Sequence, residues 1–351
     1  GTAWDQPVVD DAIAKNAEAL GYFADAAKKS SFQYPGYADP LNSYDITKFQ
    51  SFGGVWATTR TAVLNAANLQ KQGKEGDAFQ QALHLIHVGA SIQHSQGPMV
   101  TYLVGSNMKI LGMQTIQRLL MDTKLSKIDL APYITEVQNA VTRTDDIANG
   151  FKMEYTIQTA YLDDSSFQIS GDAAQKAFLE IQQWVPWRAW VPKSYYFQPH
   201  KIIAEVTAEY RKVVSLNSTP CTETPQQPSY ASTTPNIWMY YVRSYFLPNA
   251  IGQFMNEMAF HYGTELRTRL CNENFLNGAT QTLIALKEFS QDNGALPISL
   301  TQLVPIYLPS VPLDPYDGKA IKYSAEKKIV YSVGSDHVDN GGSTGDDWQK
   351  M

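Results

Sequence analysis

Between positions 336 and 347 the chain carries Asp336, Asp339, Asp346 and Asp347, interleaved with Gly341, Gly342, Gly345 and small polar residues. Carboxylates crowded in this way repel one another until a cation neutralises them. An oxygen-only ligand set, with one histidine and no cysteine nearby, suits a hard ion, and calcium is the expected one. The glycines admit positive φ, so the backbone can turn carbonyl oxygens inward. The competing reading is a solvated acidic tail, common at carboxyl ends.

Other chemistry-bearing residues are less convergent. His84, His87 and His94 fall near one helix face, which invites a zinc reading, but no cysteine or well-placed glutamate offers a fourth ligand. A packed helix face is the preferred interpretation. The neighbouring pairs Asp145–Asp146 and Asp163–Asp164 read as solvated loop residues rather than as catalytic acids. No nucleophile elbow, phosphate-binding loop or dinucleotide fingerprint is present, which leans away from an enzyme. Cys221 and Cys271 are too few for a disulfide scaffold and are not spaced as metal ligands. They leave two readings open, a single staple in an oxidising compartment or two free thiols.

These groups must be positioned by helices for most of the chain. Helical spacing and end signals predict helices over Val8–Lys29, Phe49–Lys71, Asp77–Gln93 (with Asp77 as N-cap), Met99–Met121, Ala131–Asn149, Asp172–Trp184 and Pro199–Val214. Ser, Thr, Pro and Gln dominate 216–235, which reads as a linker. One or two long helices follow over Asn236–Ser290. Beyond Gly294 the period shortens to two, with strands expected at 320–323 and 328–333. The expected organisation is a helical domain at 1–215, the linker, and a long helix plus a small α+β headgroup with a short antiparallel sheet at 236–351.

Composition narrows the function classes. The 351 residues are 44% hydrophobic and 18% charged, which is enough to build a core. A net charge of -6 without a Lys/Arg cluster argues against a nucleic-acid partner. Aromatics make up 12%, and runs such as Trp184, Trp187, Trp190 and Tyr195 suit packed seams or, as a rival reading, a ligand site between helices. No apolar run reaches the length needed to span a bilayer. The start at Gly1 without a methionine leads us to expect that a signal or membrane anchor precedes this segment.

The carboxy-terminal motifs resemble the major pseudopilin of type II secretion systems. The matching residues are Leu296-Pro297, Leu303, Asp314-Pro315-Tyr316-Asp317-Gly318, Tyr323, Tyr331-Ser332-Val333-Gly334-Ser335-Asp336, and Gly341-Gly342 through Asp346-Asp347-Trp348. The resemblance implies a pilin-like headgroup with a calcium site. Asp336, Asp346 and Asp347 would supply side chains, the backbone carbonyl of Val333 a further ligand, and Asp339 would join less regularly because the spacing departs there. His337 is expected to face solvent. The charged residues of 236–290, among them Arg243, Glu257, Arg267 and Arg269, do not suit the apolar pilus-core helix of that family. The whole chain also resembles bacterial proteins of unassigned activity in which a helical region is fused to this ending, through 82–120 and Tyr196–Lys201.

The leading expectation is therefore an extracytoplasmic, periplasmic binding or scaffold protein of the cell envelope, inner-membrane anchored if a preceding anchor exists, with protein partners and a structural calcium ion. A hydrolase or small-ligand binder with the aromatic-lined site is one alternative. A secretion-pilus component is another.

Overall fold

The computed structural model describes residues 4–33, 51–163, 198–223, 263–343 and 347–350. The chain is mainly helical and ends in a small antiparallel sheet. Helices α1 (Gln6–Lys15), α2 (Ala17–Ala27) and α3 (Ser51–Lys71) lead into an antiparallel pair, α4 (Glu75–Gln93) and α5 (Met99–Asp122). Next come α6 (Lys127–Asn139), α7 (Thr144–Asp163), α8 (Pro199–Asn217) and the long α9 (Gly263–Asn293). A 3-10 turn at Leu300–Leu303 precedes β1 (Lys322–Ser324), β2 (Ile329–Ser332) and β3 (Asp347–Lys350).

Several element ends differ from expectation for identifiable reasons. The predicted Val8–Lys29 helix is broken at Asn16, whose side-chain amide donates back to the Ala12 carbonyl at 2.8 Å. Local side-chain bonds of this kind compete with helix continuation. Helix α4 begins two residues before the expected cap, so Asp77 lies in its first turn, where its charge complements the helix dipole. The predicted Ala131–Asn149 helix is two helices, with Ala140–Arg143 between them. The Thr142 backbone there is held by Asn274, whose Oδ1 accepts from the Thr142 amide at 3.1 Å. The predicted helix over Asp172–Trp184 and the aromatic run through Tyr195 lie outside the described residues, as does Asp164.

Helices α4 and α5 approach so closely that a Cβ on Gly89 would sit 2.6 Å from the Gly105 carbonyl oxygen, and one on Gly105 2.5 Å from that of Gly89. Glycine is required at both positions. Helix α9 packs against α5, α6, α8, the 3-10 turn and the sheet. From Phe275 to Leu286 every residue is buried, which is the signature of a helix covered on all sides. One core is continuous from Phe79, Ile116 and Leu130 of the array through Leu283 of α9 to Leu303 and Val330.

The sheet order is β1-β2-β3, all antiparallel, with Tyr323 opposite Val330 and Ser332 opposite Asp347. The terminal segment expected as loop thus closes in a strand.

The segment expected as a linker begins as a tied loop. Cys221 is disulfide-bonded to Cys271 of α9, with a Cα–Cα distance of 5.9 Å. Arg267, one helical turn earlier, is buried and donates to the carbonyls of Thr219 (3.2 Å), Pro220 and Glu223.

Candidate functional site

Two clusters of chemistry-bearing residues stand out, one inside the helical array and one at the carboxyl end. Inside the array, Lys109 of α5 and Glu273 of α9 are each only 1% exposed and lie 2.8 Å apart. Every amide in the middle of a helix is committed to its own ladder, so a carboxylate buried there must find side-chain donors. Glu273 finds four: Lys109, the Ser106 hydroxyl (2.6 Å), the Gln93 amide (3.2 Å) and the Thr142 hydroxyl. Lys109 also donates to Thr142 Oγ1 at 2.7 Å, and Arg269 donates to Ser106 at 2.9 Å and to Asn107. The break between α6 and α7 is what carries Thr142 into this seam.

At the edge of the seam His94 Nδ1 lies 2.6 Å from Asp146 Oδ1, and Asp146 Oδ2 accepts the Arg143 amide at 3.0 Å. Asp146 is buried and structural, contrary to the solvated role expected of it. A carboxylate-oriented imidazole can act as a general base through its other nitrogen. The neighbouring Ser95 hydroxyl, however, is buried and donates to the Ile92 carbonyl at 2.6 Å. Tyr102 is 1% exposed, its hydroxyl has no partner among the described residues, and burial, together with the charge of Glu273, raises its pKa well above the usual value.

The three histidines of α4 do not converge. His87 Nε2 contacts Glu136 at 3.0 Å, and His94 turns to Asp146. His84 has its pKa lowered by burial, with smaller effects of His87 and Lys28.

At the carboxyl end, Asp314 is fully buried and accepts from the amides of Tyr316 (2.9 Å) and Val333 (3.0 Å) and from the Ser332 hydroxyl (2.8 Å). Its own amide donates to the Lys319 carbonyl at 2.7 Å, so the Asp314–Lys319 turn is knit to the end of β2. His337 is not turned to solvent: its Nδ1 donates to the Tyr316 carbonyl at 2.9 Å, and its ring stands edge-on to Tyr316.

Of the expected calcium ligands, Asp336 and Asp339 are exposed on this loop. Each uses one oxygen in a local turn, Asp336 accepting from the Val338 amide and Asp339 from that of Gly341, both at 3.0 Å. The second oxygen of Asp339 lies 3.5 Å from Lys322, which also contacts Asp317 at 3.4 Å. The Gly341 amide, aided by Lys322, holds Asp339 below the usual carboxylate range. Val333 is buried at the loop's root, Asp347 begins β3, and Asp346 lies outside the described residues. Gly341 and Gly342 have φ of 66° and 70°, and a Cβ on Gly342 would meet Ile329 Cδ1 at 2.3 Å, so the turn needs glycine there.

Asp336 and Asp339 thus present exposed carboxylate oxygens beside a turn set by two left-handed glycines. Among the described residues no group of three or more His, Cys, Asp or Glu is gathered as a metal centre. Sequence reasoning identified this loop by its crowded carboxylates. It missed the Lys109–Glu273 seam because those partners are far apart in the chain and each lies in an ordinary helical pattern. Comparison of the chain with family models, with curated proteins and with solved structures returns no match.

Proposed function

We propose that the chain is a binding or scaffold protein of the cell envelope whose terminal loop takes a structural calcium ion. The reading rests on that loop: Asp336 and Asp339 each keep an oxygen out of the local turns, on a backbone bent by Gly341 and Gly342 and rooted on the buried Asp314 tie. Asp346, Asp347 and the Val333 carbonyl complete the ligand set suggested by the pseudopilin-like motifs. The Cys221–Cys271 disulfide supports an oxidising, extracytoplasmic setting. Lys322 lies beside Asp317 and Asp339 and balances part of their charge.

An ion that binds only the folded chain must stabilise it, by about 1 to 3 kcal/mol at ten to a hundred times its Kd. Thermal unfolding is expected to shift upward in millimolar calcium relative to chelator. Asp336→Asn and Asp346→Asn are expected to abolish the increment while leaving the chelated protein unchanged. Equal melting of the wild type with calcium and with chelator would overturn the reading.

The alternative of a hydrolase or ligand binder draws support from the His94–Asp146 pair, an imidazole oriented by a buried carboxylate. Its test is an esterase and peptidase screen in which His94→Ala should remove any activity found.

A further inference from the structure

Where α5, the end of α9 and the β1–β2 hairpin meet, a groove of about 590 Å³ opens between helical array and sheet. We infer that this groove binds a single-chain amphipathic anion, an acyl chain with a carboxylate head. The inference is independent of the calcium reading.

Leu120 and Leu283, otherwise covered by the core, form the floor, and Leu296 and the 61% exposed Met121 form apolar walls. Lys287 and Lys328 stand on the same groove, and no carboxylate lines it. Among the described residues neither lysine has an ion-pair partner. The volume falls in the range of small-ligand sites, roughly 300 to 1,000 Å³. Exposed apolar surface is unfavourable in water, and cations at its rim attract an anion, so a ligand with an apolar tail and an anionic head matches both features of the groove.

Two features argue that the cations serve the groove rather than the fold. Lys287 lies upstream of the last turn of α9, beyond the reach of the dipole attraction that favours basic residues at helix ends. Lys328 has φ of 54°, a left-handed backbone where glycine or asparagine would be less strained. Its neighbour Lys327 is committed elsewhere, donating to the Gly341 carbonyl at 2.5 Å. Gln117 donates its amide to Thr280 at 2.8 Å, which leaves its carbonyl oxygen to hold a water that donates onward to the carboxylate head.

The test is calorimetric titration of the full chain with monomeric decanoate, with decanol as the uncharged match. Saturable one-to-one binding of decanoate is expected, with decanol weaker. Lys287→Gln and Lys328→Gln should each lower affinity about two- to fivefold, as exposed charge contacts do, and added salt should narrow the difference. Lys328→Gly should weaken binding while raising the Tm by relieving the turn, which separates loss of the site from loss of fold. Equal affinity for decanol, insensitivity to both lysine variants, or no saturable binding would overturn the inference. Capture by phosphatidylglycerol vesicles without binding of monomeric decanoate would also overturn it, in favour of a membrane surface.

Discussion

Glu273 in the helical array and Asp314 in the carboxy-terminal unit are both buried carboxylates, yet they are satisfied differently. Glu273 is answered by a full cation and side-chain donors. Asp314 is answered by two backbone amides and a hydroxyl, with no cation among its partners in the described residues. The difference follows from the backbone around each. In the middle of packed helices the amides are already used, whereas a turn leaves amides free to converge on one oxygen pair. Glu288, on α9, shows a third outcome: it is 1% exposed, one of its oxygens has no partner among the described residues, and burial raises its pKa to about 7, against the pull of Lys127. Cation, dipole and proton are thus three solutions to one desolvation problem.

The sharpest way to break the comparison is Lys109→Met. It leaves Glu273 buried without its cation and is expected to cost about 3 to 5 kcal/mol in urea unfolding. The double variant Lys109→Met with Glu273→Gln should recover most of that loss, because no uncompensated charge remains. A double variant as unstable as the single would mean that the cation is not what balances Glu273.

Glu288 predicts a pH dependence. Its folded pKa is raised above the unfolded value, so the folded chain binds the extra proton and the stability this contributes is full below about pH 4.5. That contribution is lost as pH rises to about 7, by at most about 3 kcal/mol. Glu288→Gln should flatten this part of the stability profile, and a profile unchanged by the substitution would count against the assignment.

Asp314→Asn is expected to cost about 2 kcal/mol, since an amide in place of one carboxylate oxygen sets donor against donor at the Val333 or Tyr316 amide. Unlike the Lys109 variant, it leaves no charge unbalanced, so neutralising a second residue should not rescue it.

Sequence periodicity made most of the helical order legible, because α3, α4, α5 and α8 each bury one face against neighbours close in the chain. It failed at Asn16 and at Ala140–Arg143, where a side-chain bond or a distant partner overrides local helical preference. Thr142 is held by Asn274 and Glu273, and nothing in the surrounding sequence announces either contact. The acidic loop drew the eye for the opposite reason, since its carboxylates are packed into a short stretch. Strand β3 was not, because a strand of four residues at the end of a glycine-rich segment has too little alternation to read. The roles of Asp146 and His337 were hidden because burial and docking depend on which distant surface arrives.

The bond between Cys221 and Cys271, 50 positions apart, turns the stretch between them into a covalent ring whose two ends meet on the flank of α9. A protease that cut the chain anywhere inside that ring would leave the two fragments joined, each still carrying its share of the core.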